Sequence, residues 1–178
     1  VVETKYDSIV NIGCAEGYYA VGLPFRMKNV RMFAFDIDKM AQELCLKNAK
    51  LNNIEIIIDK ICDQDKLLSL DLGKRSFILI DIEGDEKNLI NKYLISKLTS
   101  HDFLIETHDF EDIRITKFII NALKETHNIQ IYSSIDDITR AYTYEIPGLE
   151  TNSLEDRKAL LAEGRPITMR WVYATAKE

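Results

Sequence analysis

Four short stretches of the chain gather the residue types that bind charged ligands or move protons. The first is SIVNIGCAEGYYA, Ser8 to Ala20, where an apolar run enters a turn containing Gly13 and Gly17 with the acid Glu16 between them. The second is an apolar run ending at Asp36, with Asp38 close behind. The third is LIDIEGDE, Leu79 to Glu86, and the fourth is LIETHDF, Leu104 to Phe110. A strand that runs into a glycine turn is where α/β folds hold nucleotide-like ligands. The run Gly13-Cys14-Ala15-Glu16-Gly17 lacks the G-x-G-x-x-G spacing a pyrophosphate needs, and Glu16 would place like charge beside it. The turn therefore suits a cationic ligand without phosphate.

S-adenosylmethionine has that character, since it carries a sulfonium and an ammonium and asks only for a narrow glycine turn. Asp36 stands where an acid takes both hydroxyls of an adenosine ribose, a role that nicotinamide cofactors share. The plainer reading is that Asp36 or Asp38 caps the next helix. Asp81 and Glu83 fall past the end of a buried strand, where they would face the same crevice as Gly13 and Glu16. Asp85 and Glu86 read as acids favoured by a helix N-terminus. Alternation places Glu106 and His108 on one side of the chain, so that a carboxylate can orient an imidazole as general base. The four residues Asp81, Glu83, Glu106 and His108 also compose a donor set for a metal hydrolase, while methyl transfer itself asks for no metal.

Positioning these groups requires strands that end together. Apolar runs at Ser8–Ile12, Arg31–Phe35, Ile54–Ile58, Phe77–Ile80 and Phe103–Ile105 read as buried central strands of a parallel sheet. Helical spacing appears between them: Lys39–Leu51 with Met40, Ala41, Leu44 and Leu51, Glu86–Leu98 with Leu89, Ile90, Tyr93 and Leu94, and Asp112–Thr126 with Ile115, Phe118, Ile119 and Leu123. Asp63–Leu70 is a further helix, and Pro24 predicts that the helix after the first turn is short or kinked. Beyond Thr126 the rhythm changes. Ile129–Ser133 and Ile167–Thr175 leave no crossover helix between them, only a polar insertion from Asp136 to Arg165 with a helix at Ser153–Glu163. Such a pair is antiparallel, and so long an insertion can contribute to a site.

The 178 residues, 46% hydrophobic, suit one domain, residues 1–178. A net charge of −6 without a basic block argues against a nucleic-acid partner, and no apolar run is long enough to span a membrane. Cys14, Cys45 and Cys62 are odd in number and unpaired by spacing, which points to a reducing, cytoplasmic setting.

With these pieces assembled, the chain resembles the class I S-adenosylmethionine-dependent methyltransferases, and within them the FkbM-type family. The resemblance rests on IVNIGCAEGYY, MFAFDIDKMAQELCLKNAKLNN with its Asn48 and Asn52, FILIDIEGDE and FLIETHDF. It implies an α/β fold, a Rossmann-like, doubly wound, mostly parallel seven-stranded sheet with an antiparallel last strand, possessing S-adenosylmethionine as cofactor. Gly13, Ala15 and Gly17 would wrap the methionine half together with Asn11, Cys14 and Glu16. Asp36 and Ile37 would take the ribose, Lys60, Ile61 and Cys62 would lie near adenine, and Asp81 and Glu83 would sit at the methionine end. His108 and Glu106 are the catalytic candidates, and the acceptor is a small molecule or glycan methylated on oxygen. Two departures stand out: Asn11 replaces the family's acid and Glu16 replaces a neutral residue. The helix that precedes the first strand in the family is missing, which reads as a trimmed chain. The rival functions are an NAD(P)-dependent oxidoreductase and a non-catalytic interaction domain of the same fold.

Overall fold

The computed structural model describes residues 3–165 and 167–177. In chain order the first half runs β1 (Ser8–Ile12), α1 (Tyr18–Arg26), β2 (Arg31–Phe35), α2 (Lys39–Leu51), β3 (Ile57–Asp59), α3 (Gln64–Ser69) and β4 (Ser76–Ile80). The second half runs α4 (Glu86–Leu89), α5 (Lys92–Lys97), β5 (Asp102–Thr107), α6 (Ile115–Leu123), β6 (His127–Ser133), α7 (Asp137–Thr143), α8 (Leu154–Leu161) and β7 (Arg170–Ala176). The strands form one seven-stranded sheet in the order β3-β2-β1-β4-β5-β7-β6. β1 to β5 pair in parallel, whereas β7 is antiparallel to both β5 and β6. This is the α/β, Rossmann-like sheet expected from the alternation of elements. The last strand slots between β5 and β6, because the chain turns back through the α7–α8 insertion instead of crossing over.

Every residue of β1 and β4 is buried, as parallel strands covered on both faces require. Val10, Ile12, Ile78, Ile80, Phe103 and Ile105 pack on one face with Ile115, Ile119 and Leu123 of α6, and Ile9, Phe77 and Leu79 pack on the other with Met32 and Ala20. Burying each large apolar side chain contributes about 1.5–3 kcal/mol before conformational entropy is counted. Several features differ from the sequence reading. The third strand is Ile57–Asp59 rather than Ile54–Ile58, and it lies at the sheet edge with Ile57 exposed. It starts late because the backbone continues the turn that ends α2, with Asn53 at positive φ and the Ile54 amide still bonded to Ala49. The segment Glu86–Leu98 is two helices, broken where Ile90 is extended and the Asn91 side chain caps α5. On α2 the buried residues are Cys45 and Ala49, while Met40, Leu44 and Leu51 are exposed. An edge helix turns its small residues to the sheet. Pro24 is accommodated within a short α1, and α7 went unanticipated because its polar sequence carries little periodicity.

At the amino edge of the sheet a buried carboxylate ties distant segments together. Asp102 Oδ2 accepts from the Tyr6 hydroxyl at 2.6 Å and from Arg75 Nη2 at 2.7 Å, and Oδ1 accepts from the Ala176 amide at 2.9 Å. Burial and the neighbouring carboxylate together push the Tyr6 phenol well above its ordinary value. Tyr6→Phe removes one charge-assisted bond and leaves the others, so it should lower the unfolding free energy by about 1.5 kcal/mol. Urea unfolding checks this as a lowered midpoint at unchanged slope, and an unmoved midpoint would show that the phenol contributes nothing.

Candidate functional site

The carboxyl ends of β1, β2 and β4 meet at Gly13. Its amide and that of Cys14 both donate to the Phe35 carbonyl, at 2.8 and 2.9 Å, and the Asp81 amide donates to Ile12 at 2.9 Å. Gly13 has φ +79°, and a Cβ there would stand 1.7 Å from the Asp81 carbonyl oxygen. No other residue fits. Around this junction opens a cavity of about 260 Å³ lined by Ile12, Gly13, Phe35, Asp36, Ile37, Lys60, Ile61, Cys62, Asp81, Ile82, Glu83 and Asp85. A larger groove of about 730 Å³ lies between α2 and β3, lined mostly by apolar side chains together with Arg31, Lys50 and Glu55.

Asp36 bridges the first two loops. Its Oδ2 accepts from the Ala15 amide at 2.8 Å and its Oδ1 from the Asp38 amide at 2.9 Å. Asp38, not Asp36, caps α2, through the Met40 amide. The plain reading as a helix cap thus holds for Asp38 alone, and Asp36 keeps its spare lone pairs at the cavity wall. Asn11 is wholly buried, donates to the Gly13 carbonyl at 3.3 Å and leaves its Oδ1 without a partner among the described residues.

Farther along the edge, β4 and β5 bring a second set of groups together. His108 is 2% exposed and its Nδ1 lies 2.7 Å from Glu86 Oε1. Its Nε2 stands 3.5 Å from Asp81 Oδ1 and 3.4 Å from Glu83 Oε2. The residues on either side of His108 are tied to α6: Thr107 Oγ1 meets Thr116 Oγ1 at 2.7 Å, and Asp109 accepts from the Thr116 amide at 2.9 Å. Burial pushes the imidazole down, but the bond to Glu86 and the charges of Glu86, Asp81 and Glu83 outweigh it and the net shift is upward. Asp81 is raised to about 7, first by burial and then by the charge and hydrogen bonding of Glu106. Carboxylates this close resist ionising together.

These contacts correct the expected pairing of Glu106 with His108. Glu106 accepts from Arg165 Nη1 at 2.5 Å, and the group that orients the imidazole is Glu86. Glu86, read from sequence as an acid favoured by a helix N-terminus, is fully buried, and its Oε2 has no partner among the described residues. Arg165 belongs to the insertion between β6 and β7, which reaches back over the carboxyl edge and is braced by Arg157 on the carbonyls of Ala141 and Leu149 at 2.7 and 2.8 Å. Tyr19 lies near the same acids and packs against Trp171, with ring centroids 6.2 Å apart.

Of the expected cofactor residues, Gly13, Asp36, Ile37, Ile61, Cys62, Asp81 and Glu83 line the cavity together. Cys14 does not: it is buried in the core, and the hydrogen bond with Cys45, then burial, raises its thiol. Gly17 serves the backbone turn that starts α1, where a Cβ would meet Cys45 Sγ at 2.8 Å. Glu16 is exposed, and its carbonyl accepts from Asn48 at 2.8 Å.

No protein-family model matches the sequence, and no curated protein matches it. Solved structures do match in shape. Precorrin-6y C5,15-methyltransferase from Geobacter metallireducens superposes with a TM-score of 0.66 over 99% of this chain and 84% of its own, at 14% identity. Geranyl diphosphate methyltransferase in complex with SAM gives 0.57 over 97% and 79%, at 11% identity. The M. capricolum TrmK in complex with S-adenosyl-homocysteine gives 0.58 over 96% and 62%, at 13% identity. The fold is thus that of Rossmann-like methyltransferases. Among the described residues, no helix is long and apolar enough to cross a membrane.

The buried Glu86–His108 contact has a spectroscopic signature. Burial lowers the imidazoles of His101 and His127, whereas His108 is raised. An NMR titration of chelator-treated protein should therefore show His108 as the highest of the three, and Glu86→Gln should bring it down. A value for His108 below the other two would break the assignment.

Proposed function

We propose that this chain is an S-adenosylmethionine-dependent methyltransferase acting on an oxygen of a small or carbohydrate-like acceptor. The observation that carries the reading is the cavity at the carboxyl edge. It combines the Gly13 turn, the Asp36 carboxylate and the apolar walls Ile37 and Ile61 with acids at its far end, and it has no turn that would hold a pyrophosphate. The bound SAM and S-adenosyl-homocysteine of two structural neighbours support the same reading, as does the resemblance of the four motifs to the FkbM-type family. The net charge of −6 favours a small acceptor over a nucleic acid, and three free, buried cysteines suit the cytoplasm.

S-adenosylmethionine supplies an activated methyl on sulfur, which an oxygen nucleophile takes by in-line displacement, leaving S-adenosylhomocysteine. The chain's own part is mainly placement. Asp36 would hold the ribose hydroxyls through the lone pairs that Ala15 and Asp38 leave free. Gly13 admits the ligand close to the backbone, and Asp81 sets negative charge beside the methionine end. The acceptor's proton leaves at the corner formed by Asp81, Glu83 and His108, with Glu86 as a positioning residue behind the ring. Arg165 and Tyr19 close the acceptor side.

Calorimetry should show S-adenosylhomocysteine binding and no heat with NADH. Asp36→Ala should weaken S-adenosylhomocysteine about 10-fold or more, the scale of a lost pair of charge-assisted bonds, with an unchanged circular dichroism spectrum. Full affinity in that variant would remove Asp36 from the site, and preference for NADH would replace the reading with an oxidoreductase. Once an acceptor is known, His108→Ala should slow turnover by roughly 100-fold while leaving cofactor affinity intact. Turnover within a few-fold of the parent would remove His108 from the chemistry.

A further inference from the structure

We propose that Asp81, Glu83 and His108 form a binding site for a divalent first-row transition-metal cation of the Mn2+ kind, a departure from the metal-free scheme the sequence suggests. One ligand atom from each of the three lies within 4.8 Å of the others. The buried imidazole gives the cluster its direction. An ionised carboxylate only accepts, so Glu86 Oε1, 2.7 Å from Nδ1, keeps a proton on Nδ1, and in the neutral ring the lone pair is then on Nε2. That lone pair faces Asp81 Oδ1 at 3.5 Å and Glu83 Oε2 at 3.4 Å, and neither approach forms a hydrogen bond. Three electron-rich atoms pointed at one another call for positive charge between them, and a divalent ion competes for that place with a second ring proton. Oxygens and nitrogens on neighbouring positions of one small divalent ion are separated by about 3 Å, close to the spacing found here.

Three further observations point the same way. His108 is 2% exposed and its far nitrogen is held by a carboxylate that is itself fully buried, the arrangement that fixes metal-ligating histidines in their tautomer. The corner has a surplus of negative charge: Asp81, Glu83, Glu86 and Glu106 gather there, and the facing cation from the insertion, Arg165, is taken by Glu106 and Glu163. Glu83 is 83% exposed at its side chain, so the site has an open side through which an ion can enter. One imidazole nitrogen with two carboxylate oxygens suits Mn2+ better than the thiolate-preferring ions.

Asp81 and Glu83 also line the cavity, so an ion held here lies beside the acceptor and shares in polarising its hydroxyl. That consequence rests on the methyl-transfer reading; the binding of the ion does not. The test titrates Mn2+ into the chelator-treated full chain and follows the free ion by electron paramagnetic resonance, with S-adenosylhomocysteine calorimetry run in parallel. Saturation at one ion per chain is expected, with Asp81→Asn and Glu83→Gln each weakening it about 10-fold or more, and Glu86→Gln weakening it on a similar scale by loosening the ring. Glu83 is exposed, so Glu83→Gln keeps the test open if a buried variant fails to fold. No saturable binding up to millimolar Mn2+, or equal binding in Asp81→Asn and Glu83→Gln, would overturn the site. Mn2+ binding without S-adenosylhomocysteine binding would sustain the cation site and bring down the methyl-transfer reading, and the reverse result would do the opposite.

Discussion

The Asp81 carbonyl oxygen occupies the space where a Cβ on residue 13 would begin, 1.7 Å away. This close approach is possible because Gly13 has no side chain and tolerates φ +79°. The carboxyl ends of β1 and β4 can then converge, with the Asp81 amide on Ile12 and the Gly13 and Cys14 amides on Phe35. Asp36 ties the same loop to the start of α2 through Ala15 and Asp38. A cavity wall, the position of Asp81 and the exposure of Asp36 all follow from that one missing side chain. Bulk at position 13 would separate the strands as well as fill the site.

Charge is distributed unevenly around this junction. Asp102 at the amino edge is surrounded by a phenol, a guanidinium and an amide, and its burial is fully compensated. At the carboxyl edge the carboxylates outnumber the cations, Asp81 is raised to about 7, and one Glu86 oxygen has no partner among the described residues. Buried like charge is costly, so such a corner suits a ligand that brings positive charge from elsewhere. A sulfonium and a divalent ion are both of that sign. Glu16, the acid that argued against a pyrophosphate, is exposed and is not among the residues lining the cavity.

Local pattern was enough for the sheet because parallel strands buried on both faces must be continuous apolar runs, as β1, β2, β4 and β5 are. It was also enough for the residues at their ends, since the carboxyl edge of such a sheet brings together whatever follows each strand. Gly13, Asp36, Ile37, Ile61, Cys62, Asp81 and Glu83 meet for that reason. Strand β3 and the split between α4 and α5 were less legible. One is an edge strand whose start depends on how α2 terminates, and the other is broken by a single capping asparagine.

The partners of the buried charges were beyond the reach of sequence. Alternation put Glu106 and His108 on one side of the chain, but it cannot say which of several acids completes a contact across elements. Tertiary packing gave His108 to Glu86, far away in the chain, and gave Glu106 to Arg165 from an insertion with little hydrophobic pattern of its own. It likewise turned Cys14 and Gly17 inward to α2 and left the exposed faces of α2 to solvent. The sequence by itself determined which chemistry-bearing residues lie along the carboxyl edge, because strand order and burial are written in local apolar runs. Only the tertiary structure decided which of those residues touch, because a buried charge is satisfied by whatever group packing brings within hydrogen-bonding distance.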